Sequence, residues 1–177
     1  LSRYRSYHGA GFGAMAATGD PRRTAWEPSV MPGTVHFLDP YRYRSTFHRT
    51  NPDISEADFC QDYLNHLEEI IQYERPETIA GILVESVTGT NGVIVPPQGY
   101  MQGVRELCDR YGIVMICDEV MSGFGRTGRW FAVDHWGVKP DIVTMAKGLT
   151  SGYAPLGAVA MREEIAAAFN EREFVGG

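Results

Sequence analysis

Ile113-Val114-Met115-Ile116-Cys117-Asp118-Glu119 is an apolar run that ends in two acids, and Ile142-Val143-Thr144-Met145-Ala146-Lys147-Gly148 is a second that ends in a lysine among small residues. Near-continuous apolar runs of this length are typical of strands buried on both faces, as in parallel α/β sheets. In such sheets ligands bind beyond the carboxyl ends of the strands, so Asp118 and Lys147 are offered to one crevice. The two groups are complementary. An amine can hold an aldehyde cofactor as a Schiff base, and a carboxylate can keep a pyridine nitrogen protonated; pyridoxal 5'-phosphate needs both.

Working outward, Ile79-Ala80-Gly81-Ile82-Leu83-Val84-Glu85 reads as another buried strand. Residues 98–111 read as the crossover helix that links it to the strand at 113–117, giving one βαβ unit. Upstream, Phe59, Tyr63, Leu67, Ile70 and Ile71 recur at helical spacing behind the N-cap signal Ser55-Glu56-Ala57-Asp58, which predicts a helix to about Tyr73. Residues 3–7 alternate as a short strand, followed by a small-residue helix that Asp20-Pro21 ends. From Thr24 to Pro52 the chain is rich in Pro, Arg and aromatics without a sustained period, which predicts a long irregular excursion. A strand near 156–161 and a helix from Glu163 to Phe169 close the series.

The net charge of −6 and the lack of Lys/Arg runs disfavour nucleic acid and acidic membranes as partners and leave a small molecule. No apolar run approaches spanning length and no signal-peptide core opens the chain, so we expect a soluble, cytoplasmic protein. Cys60, Cys108 and Cys117 have neither paired nor CxxC spacing, which predicts reduced thiols, no disulfide and no metal site. The final residues, Phe174-Val175-Gly176-Gly177, come after a short helix without an element to cover a sheet edge. We therefore expect residues 1–177 to be the central segment of a longer chain.

A loop lysine is usually a solvated charge. The flanking Ala146, Gly148 and Gly152 argue otherwise, because a Schiff-base lysine needs its backbone close to a flat cofactor. An isolated Asp after a strand usually caps the next turn or helix. Here the glycine-rich, apolar run Val120 to Gly128 walls the Asp118 carboxylate instead. Two rival enzymes leave traces. Gly9-Ala10-Gly11-Phe12-Gly13-Ala14 fits a dinucleotide fingerprint with Glu27 as the ribose acid, but Pro28 and Pro32 break the strand that acid requires. A Cys117/His135 hydrolase lacks an oxyanion motif. A noncatalytic module remains the non-enzyme alternative.

The string Asp118-Glu119-Val120-Met121-Ser122-Gly123-Phe124-Gly125-Arg126-Thr127-Gly128, with Lys147-Gly148-Leu149 after it, resembles the signature of class III pyridoxal-phosphate aminotransferases, the ω-aminotransferase group. Tyr7-His8-Gly9 and the block from Glu85 to Pro97 match two further family blocks in order. The resemblance covers essentially the whole chain. It implies a fold-type I large domain, α/β with a mainly parallel seven-stranded sheet and flanking helices, working as a homodimer. It also implies that the family's phosphate loop precedes Leu1, and that a partner-subunit threonine and the C-terminal small domain come after Gly177.

Carried over by position, Lys147 would form the Schiff base and carry the proton, and Asp118 would pair with the pyridine nitrogen. Val120 would pack on one ring face and Tyr7 stack on the other, with His8 beside the cofactor. Met121 stands where many relatives have a glutamine reaching the phenolic oxygen. Glu85 resembles a glutamate that gates the substrate pocket by pairing with a mobile arginine, and Ser86 replaces a common proline. Glu119 and Arg126 would brace the site from behind. The implied activity is ping-pong transfer from an amine donor to a 2-oxo acid. Residues 3–9 and 16–23 look most like the branch acting on taurine, β-alanine or 4-aminobutyrate. An amino-acid epimerase of the same fold shares the chemistry at Cα.

Overall fold

A computed structural model describes residues 1–170; the expectation placed on Phe174 to Gly177 lies outside them. Six strands form one sheet: β1 (Ser2–Arg3), β2 (His36–Phe37), β3 (Gly81–Glu85), β4 (Val114–Asp118), β5 (Ile142–Met145) and β6 (Ala158–Met161). Their order is β2-β1-β3-β4-β5-β6, parallel except for the antiparallel β5–β6 pair. The helices are α1 (Phe12–Ala17), α2 (Thr46–Thr50), α3 (Glu56–Tyr73), α4 (Tyr100–Tyr111) and α5 (Glu163–Asn170).

The longest helix begins where the sequence says it should. Ser55 Oγ accepts from Asp58 N–H at 3.0 Å, and Glu56 and Asp58 sit in the positive first turn. The predicted stripe supplies buried Phe59, Tyr63, Leu67 and Ile71. These meet Tyr100, Met101, Val104 and Leu107 of α4 and one face of the sheet, Ile82 and Val84 of β3 with Met115 and Cys117 of β4. Burying each such side chain contributes about 1.5–3 kcal/mol. The opposite face, with Leu83 and Ile116, borders an open cleft of about 460 Å³.

Two expectations change. The first strand covers only Ser2–Arg3, because Arg5 takes a left-handed φ of 58° and turns the chain. The excursion from Thr24 to Pro52 is not wholly irregular: His36–Phe37 adds a parallel edge strand to β1, and Thr46–Thr50 forms a helix capped by Ser45. Two residues of strand are too few to show a period. Six strands lie in the sheet among the described residues.

Candidate active site

The register brings the site together. Glu85 of β3 pairs with Asp118 of β4, which pairs with Thr144 of β5, and Lys147 lies three residues beyond Thr144. Carboxylate and amine thus leave the same edge from adjacent parallel strands, as the strand order requires.

Asp118 is 6% exposed. Its Oδ1 accepts from Val120 N–H at 2.9 Å, and its Oδ2 lies 2.7 Å from His8 Nδ1. A carboxylate has about four lone-pair directions, so acceptor capacity is left for a protonated ring nitrogen. That fits the cofactor implied by the sequence. Lys147 is exposed, starts a 3-10 turn and holds φ at 44°. Side-chain-bearing residues rarely adopt this region, and such strain gathers at functional sites. Gly148 explains the fit of this loop: a Cβ there would come within 2.8 Å of Phe124 Cβ. The lysine loop therefore rests on Phe124, itself clustered edge-to-face with Trp130 and Phe131.

Beneath the site lies a second carboxylate. Glu119 is fully buried and accepts from Ser86 Oγ and Ser122 Oγ at 2.6 Å, Ala132 N–H at 3.0 Å and Val133 N–H at 2.8 Å. It ties the loop after β3 to both ends of the loop after β4. The departure at Ser86 gains a physical reason, since its hydroxyl donates to Glu119 where a proline could not.

Glu85, which the family pattern pairs with a mobile arginine, has both carboxylate oxygens turned into the fold among the described residues. It is 2% exposed, with Oε1 accepting from Tyr7 N–H at 2.9 Å and Oε2 from Gly89 N–H at 2.7 Å. Arg3, also buried, reaches the Glu85 carbonyl and, at 3.3 Å, Thr88 Oγ1. Tyr7 is thereby fixed at its backbone, while the Arg22 guanidinium lies 4.8 Å over its ring. Arg22 is forked onto Asp20 at 2.7 and 2.9 Å, and that hydrogen bonding holds the Asp20 carboxyl down at about 2 despite its burial. Val120 is half-buried beside Asp118. Met121, half-exposed, covers Gly89, where a Cβ would meet its Cγ at 2.8 Å. Arg126 is exposed, and neither it nor Lys147 enters an ion pair among the described residues.

The rivals fare worse. Burial pushes the Cys117 thiol up to about 12, and His135 bonds Thr127 on the exposed side, so the two form no dyad. Glu27 is in a 3-10 turn paired with Arg23 at 2.5 Å, not at the carboxyl end of a strand. Sequence reasoning missed Ser2, Ser6, Ser122, Asp20 and Arg22. Single polar residues in short loops carry no period, and only the fold shows their partners.

The family model for class-III aminotransferases matches residues 1–177. The chain is 41% identical over 165 residues to a taurine–pyruvate aminotransferase of Bilophila wadsworthia, covering 93% of this chain and 35% of that protein. A solved taurine:2-oxoglutarate aminotransferase from Bifidobacterium kashiwanohense, in complex with PLP and glutamate, is 51% identical with a TM-score of 0.91, over 99% of this chain and 39% of that one. An (S)-enantioselective omega-transaminase from Thermomicrobium roseum is 43% identical with a TM-score of 0.92, over 100% and 39%. The chain spans little more than a third of the length of these relatives. With the sheet, the Asp118 and Lys147 positions and the matched sequence in agreement, the chain belongs to the class III aminotransferases, whose fold is that of type I pyridoxal-phosphate transaminases.

Proposed function

We propose that the complete protein is a pyridoxal-5'-phosphate-dependent aminotransferase that moves an amino group from an amine or ω-amino acid to a 2-oxo acid in two half-reactions. The carrying observation is the adjacent placement of Asp118 and Lys147 at the edge of one parallel sheet. When bound, the cofactor supplies an electron sink for charge developing at the substrate carbon. Asp118 would hold the ring nitrogen, with His8 and the Val120 N–H fixing the carboxylate. Lys147 would hold the cofactor aldehyde and move the proton at the substrate carbon, and it enters no ion pair among the described residues, which leaves the amine available. Tyr7 and Val120 would enclose the ring from either face, with Met121 at its margin. Glu119 braces both loops from below. Glu85 acts as a second brace, since both its oxygens already serve loop backbone.

The relatives that act on taurine favour an ω-amino acid or aminosulfonate donor. Nothing in the fold or the relatives favours the epimerase. Among the described residues no helix is long and apolar enough to cross a membrane. A cytoplasmic homodimer is the assembly in which we place the chain. Borohydride treatment of the full-length protein with pyridoxal phosphate, and then peptide mapping, tests the reading. We expect a stable pyridoxyl label on Lys147. A folded protein labelled elsewhere, or not at all, would overturn it.

A further inference from the structure

Behind Asp118 stands a file of buried side chains whose polarity can be read from its far end. Ser6 Oγ lies 2.7 Å from the carbonyl oxygen of Arg3, an atom that only accepts, so the single Ser6 hydroxyl proton is committed there. The same Oγ accepts from Gly19 N–H at 3.0 Å. In the 3.4 Å contact between Ser6 Oγ and Ser2 Oγ, Ser2 is therefore the donor. Ser2 then has no proton left, and its 3.3 Å contact with His8 Nε2 must be donated by the ring. At the other side of that ring, Nδ1 lies 2.7 Å from Asp118 Oδ2. Ser2 and Ser6 are at most 1% exposed and the His8 side chain 4%, which leaves little room for solvent to reverse these directions.

We propose that Ser2 and Ser6 are positioning residues for Asp118: through this file they make His8 donate from both ring nitrogens, so that the Asp118 carboxylate is held against a doubly protonated ring. The proposal rests on the reading of Asp118 as the partner of the cofactor's ring nitrogen. If His8 carried only its Nε2 proton, the short Nδ1–Oδ2 contact would need a proton from Asp118; if it carried only its Nδ1 proton, the Ser2 Oγ–Nε2 contact would have none. A His8 that donates on both sides supplies a charge-assisted bond to that anion in a site of low dielectric. The serines thus act on the cofactor's nitrogen at two removes, without touching it.

The test uses the full-length protein, first without cofactor, with nitrogen-15-labelled histidine and the His8 signals assigned by their loss in His8→Gln. Near neutral pH, both His8 nitrogens should show a directly bonded proton. Ser2→Ala should remove the Nε2 proton, and Ser2→Thr, which keeps a hydroxyl, should restore it. With cofactor added, the visible absorption band should shift in Ser2→Ala and return in Ser2→Thr. A wild-type His8 bare at Nε2 would overturn the proposal even if no serine variant folds; so would a Ser2→Ala spectrum identical to wild type. The cofactor-free spectrum does not depend on Lys147 labelling, so failure of the file and failure of the functional reading are distinguishable.

Discussion

The two ends of β3 and β4 are built from opposite materials. Towards their middles, Ile82, Val84, Met115 and Cys117 are fully buried against α3 and α4. One step further, the buried groups become Glu85, Ser86, Thr88, Asp118, Glu119 and Ser122. Apolar burial is non-directional and tolerates changes of shape that conserve volume. A buried polar cluster holds only if each donor meets its acceptor. Backbone strain obeys the same division. Among the described residues, Arg5, Val93, Phe124, Lys147 and Ser151 take left-handed φ in loops leaving the carboxyl ends of β1, β3, β4 and β5, and Arg75 is the one non-glycine exception. One end of the strands gives stability, and the other spends some of it to hold a site.

The sharpest way to separate the ends is at Lys147. Its side chain is exposed and outside any ion pair among the described residues, so Lys147→Ala should leave the thermal midpoint of the full-length protein within a degree or two. Transfer should fall by roughly 10⁴-fold or more, because both the covalent hold and the proton carrier are lost. Single-turnover kinetics with an ω-amino acid would measure it. A variant that keeps a tenth of the activity would mean that the polar end is a structural brace.

Next in size is the contrast between Glu119→Gln and Leu67→Met. Gln keeps the volume of Glu119 but turns one acceptor oxygen into a donor facing Ser122 and Ala132, or Ser86 and Val133. Leaving buried donors without acceptors costs about 1–3 kcal/mol each, so about 3 kcal/mol is expected in all. Leu67→Met, fully buried among α4 and the sheet, conserves volume and should cost less than about 1.5 kcal/mol. Thermal unfolding of the two variants side by side reads the difference. Equal losses would show that the two ends are held in the same way.

That division also explains what the sequence disclosed. The apolar end announces itself through period: the α3 stripe, the buried strands and the Ser55 cap are all legible because repeated burial leaves a repeated pattern. Asp118 and Lys147 were legible because each terminates such a run. The remainder of the polar end was not. The surroundings of Glu85 are one such case: its carboxylate accepts from Tyr7 N–H, brought in from the loop after β1, and from Gly89 N–H four residues on, contacts that no motif displays. Ser2, Ser6 and Ser86 are common residues whose meaning lies entirely in their partners. The strand at His36–Phe37 was hidden for a third reason, since an edge pairing two residues long is selected by its neighbour β1 rather than by local preference.

The smallest expected effect asks whether burial or charge makes the polar end costly to disturb. Asp20 carries as strong a hydrogen-bonded pair as any here, but its partner Arg22 is 58% exposed. The forked bond to Arg22 holds its folded pKa at about 2, below an unfolded value of about 3.9. A depressed carboxylate pKa means that the unfolded chain takes up the proton first as pH falls. The stabilisation is therefore complete above about pH 5, erodes below pH 4 and is gone near pH 1. Solvent around Arg22 screens the pair, which limits the contribution to about 1 kcal/mol. Asp20→Asn, which keeps an acceptor for the Arg22 N–H in the turn after it, should lose that amount at neutral pH and converge with wild type near pH 1. Unfolding midpoints measured across that range would show it. If Asp20→Asn instead costs as much as Glu119→Gln, charge alone sets the cost, and a buried carboxylate here is expensive to replace whether its partners are enclosed, as for Glu119, or open to solvent, as for Asp20.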